Sequence, residues 1–230
     1  FSSTAQNISA GGRHTLIICE DSTVQSWGYN GFGQLGNGNF IEQFSGVKVF
    51  GLSDVVFVAG GLFHSIFIKH DGTAWTCGRN KLGPLGDGST TDRNIPVQVN
   101  TLTEIIQAAG GGEHSLFLKK DHTVWACGAN APGQLGDGST LNKMEPIAVK
   151  GLSDIIQVAA GAEFSLFLKR DGSVWACGHN GFGQFGNGTN RSSKIPIQIN
   201  GLTDIISITA GEWHSLCVKK DGTVFSSGRN

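Results

Sequence analysis

Apolar residues come in short bursts divided by glycine and polar residues, and no burst has the length of a helix. Residues 151–200 show the pattern. Ile155-Ile156-Gln157-Val158-Ala159-Ala160-Gly161 is a brief apolar run that closes on small residues. Phe164-Ser165-Leu166-Phe167-Leu168 is dense in bulky side chains and ends at Lys169-Arg170. Asp171-Gly172 follows, a hairpin signal between two strands. Ser173-Val174-Trp175-Ala176-Cys177-Gly178 reads as a third strand, and a loop rich in Gly and Asn then runs from His179 to about Ser193. Pro196-Ile197-Gln198-Ile199-Asn200 reads as a Pro-initiated outer strand, which suits a sheet edge. The pattern predicts four short strands and no helix.

The same pattern returns every 50 residues. His14, His64, His114 and His214 keep that step, and Phe164 fills the gap in the series. Gly28, Gly78, Gly128, Gly178 and Gly228 keep it too, as do Asp21, Asp71, Asp121, Asp171 and Asp221. A period of this length marks a solenoid or propeller, and four-stranded sheets repeated radially make a β-propeller. The fold predicted is all-β, one domain over 1–230, with repeats 1–50, 51–100, 101–150, 151–200 and an incomplete 201–230. No unit buries its apolar faces alone. The small-residue strand (Ala159-Ala160-Gly161, Ala109-Gly110-Gly111) is expected where backbones crowd most. The last unit stops at Arg229-Asn230, before its loop and fourth strand. The chain is therefore expected to be cut from something longer, to form an open arc, or to be completed by another chain, self-association included.

Composition narrows the function classes. Glycine is 35 of 230 residues, and its periodicity assigns it to turns and close packing. Lys and Arg number 17 against 18 acidic residues, which argues against a large nucleic-acid footprint, though not against a local patch. No run of about 18 apolar residues exists, so no membrane span is expected. Cys77, Cys127 and Cys177 share one register and are expected to lie beyond the roughly 7 Å limit for bridging. They read as small buried hydrophobes of a reducing, intracellular compartment, cytoplasmic or nuclear. Sequons at Asn7, Asn187 and Asn190 would matter only in a secreted protein.

Units such as AAGGGEHSLFLKKDHTVWACGANAPGQLGDGST and AGAEFSLFLKRDGSVWACGHNGFGQFGNGT closely resemble the regulator of chromosome condensation repeat family. The resemblance covers the whole chain and is specific for fold. It implies a propeller, commonly of seven blades. It is far less specific for activity. The founding member exchanges nucleotide on the Ran GTPase and binds nucleosomes. Relatives include ubiquitin-ligase modules, a plant UV-B photoreceptor and bacterial effectors. The photoreceptor's GWRHT-type motif is matched only in part by Gly12-Arg13-His14-Thr15 and Glu212-Trp213-His214-Ser215.

Catalytic signatures dissolve into the repeat. Gly31-Phe32-Gly33-Gln34-Leu35-Gly36 spells GxGxxG, but no helix is expected after it to receive a pyrophosphate. The recurrent histidines come one per blade and cannot converge on one ion, so a packing role with a local hydrogen bond is expected. No nucleophile–base set stands apart from the pattern. No catalytic residue, cofactor or metal is assigned. Lys119-Lys120, Lys169-Arg170 and Lys219-Lys220 precede the hairpin turn, while Asp54, Glu104, Asp154 and Asp204 open each unit. Acid and base are expected to alternate there in a salt-bridged rim.

Positions free of packing duty differ between copies. Before the histidine register stand Arg13, Phe63, Glu113, Glu163 and Trp213; after the glycine register stand Tyr29, Arg79, Ala129, His179 and Arg229. Phe32, Leu82, Pro132 and Phe182 follow a few residues later. Both loops are expected at one end of the meander, on a single propeller face. Aromatics and Arg are the usual anchors of interfaces. The reading is a non-enzymatic scaffold that docks a protein partner through this face, with Arg13, Phe63, Glu113, Glu163, Trp213, Tyr29, Arg79, His179, Phe32 and Phe182 as candidate contacts. The alternative is a guanine nucleotide exchange factor for a Ran-like small GTPase, which rests on the resemblance alone.

Overall fold

A computed structural model describes residues 8–230, so the sequon at Asn7 lies outside the described residues. The first sheet holds the strands Ile8–Ala10, His14–Ile18, Val24–Gly28 and Gln43–Lys48. The second holds Val55–Gly60, His64–Lys69, Ala74–Gly78 and Arg93–Gln98; the third holds Ile105–Gly110, His114–Lys119, Val124–Gly128 and Lys143–Ala148. The fourth holds Ile155–Ala160, Phe164–Lys169, Val174–Gly178 and Ser193–Gln198, and the fifth has three strands, Ile205–Ala210, His214–Lys219 and Val224–Gly228. All are antiparallel meanders, and no helix occurs among the described residues. The sheets are the blades of a propeller whose first strands together line a central channel.

Each blade is closed by its neighbour. One apolar cluster joins Leu16, Val24 and Val49 of the first blade to Leu52, Val55, Val58, Phe67 and Cys77 of the second. The next joins Ile66, Ile68 and Val99 to Leu102, Ile105, Phe117 and Cys127. Burying one such Phe or Leu contributes about 1.5–3 kcal/mol, and the core exists only between blades. The innermost strands crowd as expected. A Cβ on Gly60 would lie 2.6 Å from the backbone N of Gly11, and one on Gly110 would lie 2.5 Å from that of Gly61. Backbone bonds cross the same line: Gly12 N–H donates to the Gly61 carbonyl (3.1 Å), Leu62 N–H to Gly111 (2.9 Å) and Ala162 N–H to Glu212 (2.9 Å).

The hairpins form where Asp-Gly predicts them. Lys69 N–H donates to the Thr73 carbonyl at 3.0 Å and Gly72 N–H to the Lys69 carbonyl at 2.9 Å, with Gly72 at φ 79°. Asp71 Oδ1 braces the loop by accepting from both the backbone N–H and the hydroxyl of Thr73.

Two expectations change. The fourth strands do not start at proline. They begin at Arg93, Lys143 and Ser193, and Pro96, Pro146 and Pro196 sit inside them. Pro96 falls in the register shift opposite Thr76 and Gly78, where the ladder asks for no N–H. The rim is also built differently. Among the described residues its ion pairs lie within a hairpin, Lys119–Asp121 (3.8 Å) and Lys219–Asp221 (3.7 Å). Asp54, Glu104, Asp154 and Asp204 meet the basic residues through backbone instead: their carbonyls accept from the N–H of His70, Lys120, Arg170 and Lys220.

Candidate functional site

The two variable loops are tied together in every blade by one backbone bond. The carbonyls of Arg13, Phe63, Glu113, Glu163 and Trp213 accept from the N–H of Tyr29, Arg79, Ala129, His179 and Arg229 at 2.7–2.9 Å. The glycine between them is obligatory. Gly28, Gly78 and Gly128 stand at φ 107°, 110° and 108°, and a Cβ on Gly28 would lie 2.6 Å from the Arg13 carbonyl. Both registers therefore emerge side by side on one face.

Across two blade junctions the candidates converge. Tyr29, Phe32 and Phe63 pack edge to face, with centroids 6.0, 6.3 and 5.1 Å apart. The Arg79 guanidinium lies 5.1 Å from the centre of Phe32 and 5.8 Å from that of Phe63. It also pairs with Glu113 at 2.7 Å. The same four registers recur between the fourth and fifth blades. His179, Phe182 and Trp213 stand 5.6–5.7 Å apart, and Arg229 lies 5.4 Å from Phe182. Each cluster takes two rings from one blade and a ring and a guanidinium from the next. Cation–π contacts of this kind contribute about 0.5–1 kcal/mol each at exposed sites. Most of these side chains are half-buried by one another, and Phe182 is 47% exposed.

The intervening junctions carry no aromatic cluster: they offer Leu82, Ala129 and Pro132 at the matching positions. Arg13 and Glu163 are exposed, outside both clusters. Glu113 is less a free contact than a partner of Arg79. Burial pushes its carboxyl above the usual carboxylate range, and Arg79 pulls it back. Its Oε2 is buried without a hydrogen-bond partner. His179 Nδ1 accepts from Gln184 Nε2 at 2.9 Å, and Gln184 Oε1 accepts from Phe182 N–H at 3.0 Å, which seats the second cluster on its loop.

The recurrent histidines make a hydrogen bond, but not a local one. His14, His64 and His114 donate from Nε2 to the hydroxyls of Ser65, Ser115 and Ser165 in the next blade at 2.8, 2.9 and 3.0 Å. The direction follows from the serines, which spend their own protons on the carbonyls of Gln34, Pro84 and Gln134. Burial lowers His14 to about 4 and His64 and His114 to about 3. The GxGxxG string wraps a fully buried asparagine. Asn30 Oδ1 accepts from Leu35 N–H and its Nδ2 donates to the carbonyls of Asn39 and Ile41. Asn80, Asn130 and Asn180 hold the other copies alike. The 50-residue step of these asparagines was legible beside that of the glycines, yet their weight shows only in the structure.

Among the described residues no group of three or more metal-ligating side chains stands together, and no helix is long and apolar enough to cross a membrane. The regulator of chromosome condensation (RCC1) repeat model matches residues 21–68, 71–118, 121–168 and 171–218. The Ultraviolet-B receptor UVR8 of Arabidopsis thaliana is 48% identical over 42 residues, 18% of this chain and 10% of that protein. The RCC1 domain-containing protein RUG3, mitochondrial, of the same plant is 39% identical over 56 residues, 24% of this chain and 13% of that protein. Human WBSCR16 superposes with a TM-score of 0.86 at 23% identity, over 96% of this chain and 61% of its own. Prp20p from Saccharomyces cerevisiae, whose structure was described with its binding to Gsp1p and histones, gives 0.71 at 24% identity, over 96% and 71%. These two likenesses show the fold. The matches span about a tenth of the curated relatives and under two thirds of the human chain.

Proposed function

From the premise that this chain belongs to the regulator of chromosome condensation repeat family, we propose that it works without catalysis, as a scaffold that docks a protein partner on its variable loop face. The observation that carries this reading is the twofold occurrence of one arrangement, three aromatic rings with a guanidinium, at Tyr29/Phe32/Phe63/Arg79 and His179/Phe182/Trp213/Arg229. Such groups are the common anchors of interfaces. The blades hold them with little freedom left to lose on binding. Loops on a rigid sheet are the usual seat of recognition.

The exposed members of the face supply the test. Arg13→Glu combined with Phe182→Ala is expected to weaken capture of the cognate partner at least about tenfold, while loss of the Phe182 contacts with His179 and Trp213 costs about 1 kcal/mol of stability, read separately from the melting temperature. A partner lost instead by Lys119→Glu/Lys120→Glu would move docking to the opposite face. A cytoplasmic or nuclear location belongs to the same reading, and the mitochondrial name of one relative adds a compartment to check by imaging.

A second reading is nucleotide exchange on a Ran-like small GTPase, and its support is the likeness to Prp20p. A nucleotide-release assay with Ran separates the two readings.

A further inference from the structure

Three buried histidines lie directly beneath the docking face. His14, His64 and His114 each follow a face residue (Arg13, Phe63, Glu113) and each spans one blade junction. Two of those junctions are the ones crossed by the Phe32–Phe63 contact and by the Arg79–Glu113 pair. The rings are at most 4% exposed. Gly11, Gly61 and Gly111 press against them so closely that a Cβ there would overlap the imidazole. The facing groups are the next blade's serine and glycine backbone and, for His64, the neighbouring rings of His14 and His114, and among the described residues no carboxylate lies within 4.0 Å of the nitrogens of these rings. The charged side chains beside them in sequence are Arg13 and Glu113, and Glu113 is committed to Arg79. Nδ1 of His14 and of His114 has no partner. A second proton on these rings would meet neither water nor counter-ion.

We propose that the His–Ser links at the first three blade junctions form an acid-sensitive lock, which holds the docking face together near neutral pH and releases it on acidification. The regulation rests on the docking reading only for its biological use; the lock itself is a property of the junctions. The sign follows from burial. The rings are neutral when folded and take up protons only when released, so the lock is complete above about pH 6.5 and weakens as pH falls below it. The chain contains its own insensitive version. At the fourth junction Phe164 replaces histidine, and the Ser215 hydroxyl meets Ser227 at 2.8 Å, where other copies have Cys77, Cys127 and Cys177. The aromatic cluster above that junction is therefore held without a titrating group.

The test copies the fourth junction onto the others: His14→Phe/Cys77→Ser, His64→Phe/Cys127→Ser and His114→Phe/Cys177→Ser, combined. Thermal melting of the whole chain is followed at pH 7.5 and 5.0. The unmodified protein is expected to lose about 10 °C more than the variant, at roughly 2–4 °C per kcal/mol for a chain of this size. Equal losses overturn the lock. Should the combined variant not fold, each pair is tested singly, and histidine 13C chemical shifts are followed in the unmodified protein. Rings of His14, His64 and His114 that titrate near pH 6.5 with the fold intact also overturn it. Neither readout needs a partner, so the docking reading stands or falls separately.

Discussion

The carboxylate of Glu113 holds the guanidinium of Arg79 at 2.7 Å across the junction of the second and third blades, while the same guanidinium lies against Phe32 of the first. One cation thus ties three blades at the variable loop face. Arg79→Ala is expected to cost about 1–2 kcal/mol at pH 8, because it leaves a half-buried carboxylate without its cation. Burial already raises the Glu113 carboxyl, so its ionised form is the costly one. The deficit should therefore grow as pH rises above the carboxylate range and shrink near pH 4.5. Adding Glu113→Gln should recover most of it. Urea unfolding at the two pH values reads both effects.

Truncation inside a cluster will not be silent. Phe63 touches Tyr29, Phe32 and Arg79, so Phe63→Ala removes packing between blades as well as a contact surface. A loss of about 1–3 kcal/mol is expected by denaturant unfolding. Binding measurements on this variant need that correction, whereas those on exposed Arg13 do not.

Glycines should separate into two classes. Gly60→Ala would place its Cβ 2.6 Å from the Gly11 nitrogen, backbone against backbone, and is expected to cost about 3 kcal/mol or prevent folding. Gly51 is at φ 70° with nothing within 4 Å of the added carbon, so Gly51→Ala should cost only about 1–2 kcal/mol. Melting curves of the two variants test the difference.

The thiols should separate as well. Cys77, Cys127 and Cys177 are fully buried and burial pushes their thiols upward; Cys217 is raised to about 11. Only Cys19 is half-exposed. In native protein at pH 8, one thiol is expected to react promptly with an aromatic disulfide reagent, and denaturation should release the other four.

The blades were legible because packing within them is periodic. Strand lengths, the Asp-Gly hairpins and the crowded small-residue strand follow from residues close in sequence. The partners of the odd side chains are not close. Phe32 meets Phe63, Arg79 meets Glu113 and His14 meets Ser65, each in the following blade. Reading copies against one another placed both variable loops on one face, and the structure brings them side by side. It could not show that Tyr29, Phe32, Phe63 and Arg79 form one group while Arg13 and Glu163 stand apart. It also took the histidine bond as local, since spacing inside one unit holds no information on which unit lies beside it.

The first three junctions use the same backbone bonds, from Gly12–Gly61 on the inside to Gly38–Asn94 on the outside. A blade is therefore interchangeable with its neighbours as far as the frame can tell. Duplication, loss or transplantation of a 50-residue block would leave seams that still fit, and each such event would rewrite one word of the variable loop face. New specificities are open to this architecture by shuffling alone, before any side chain mutates.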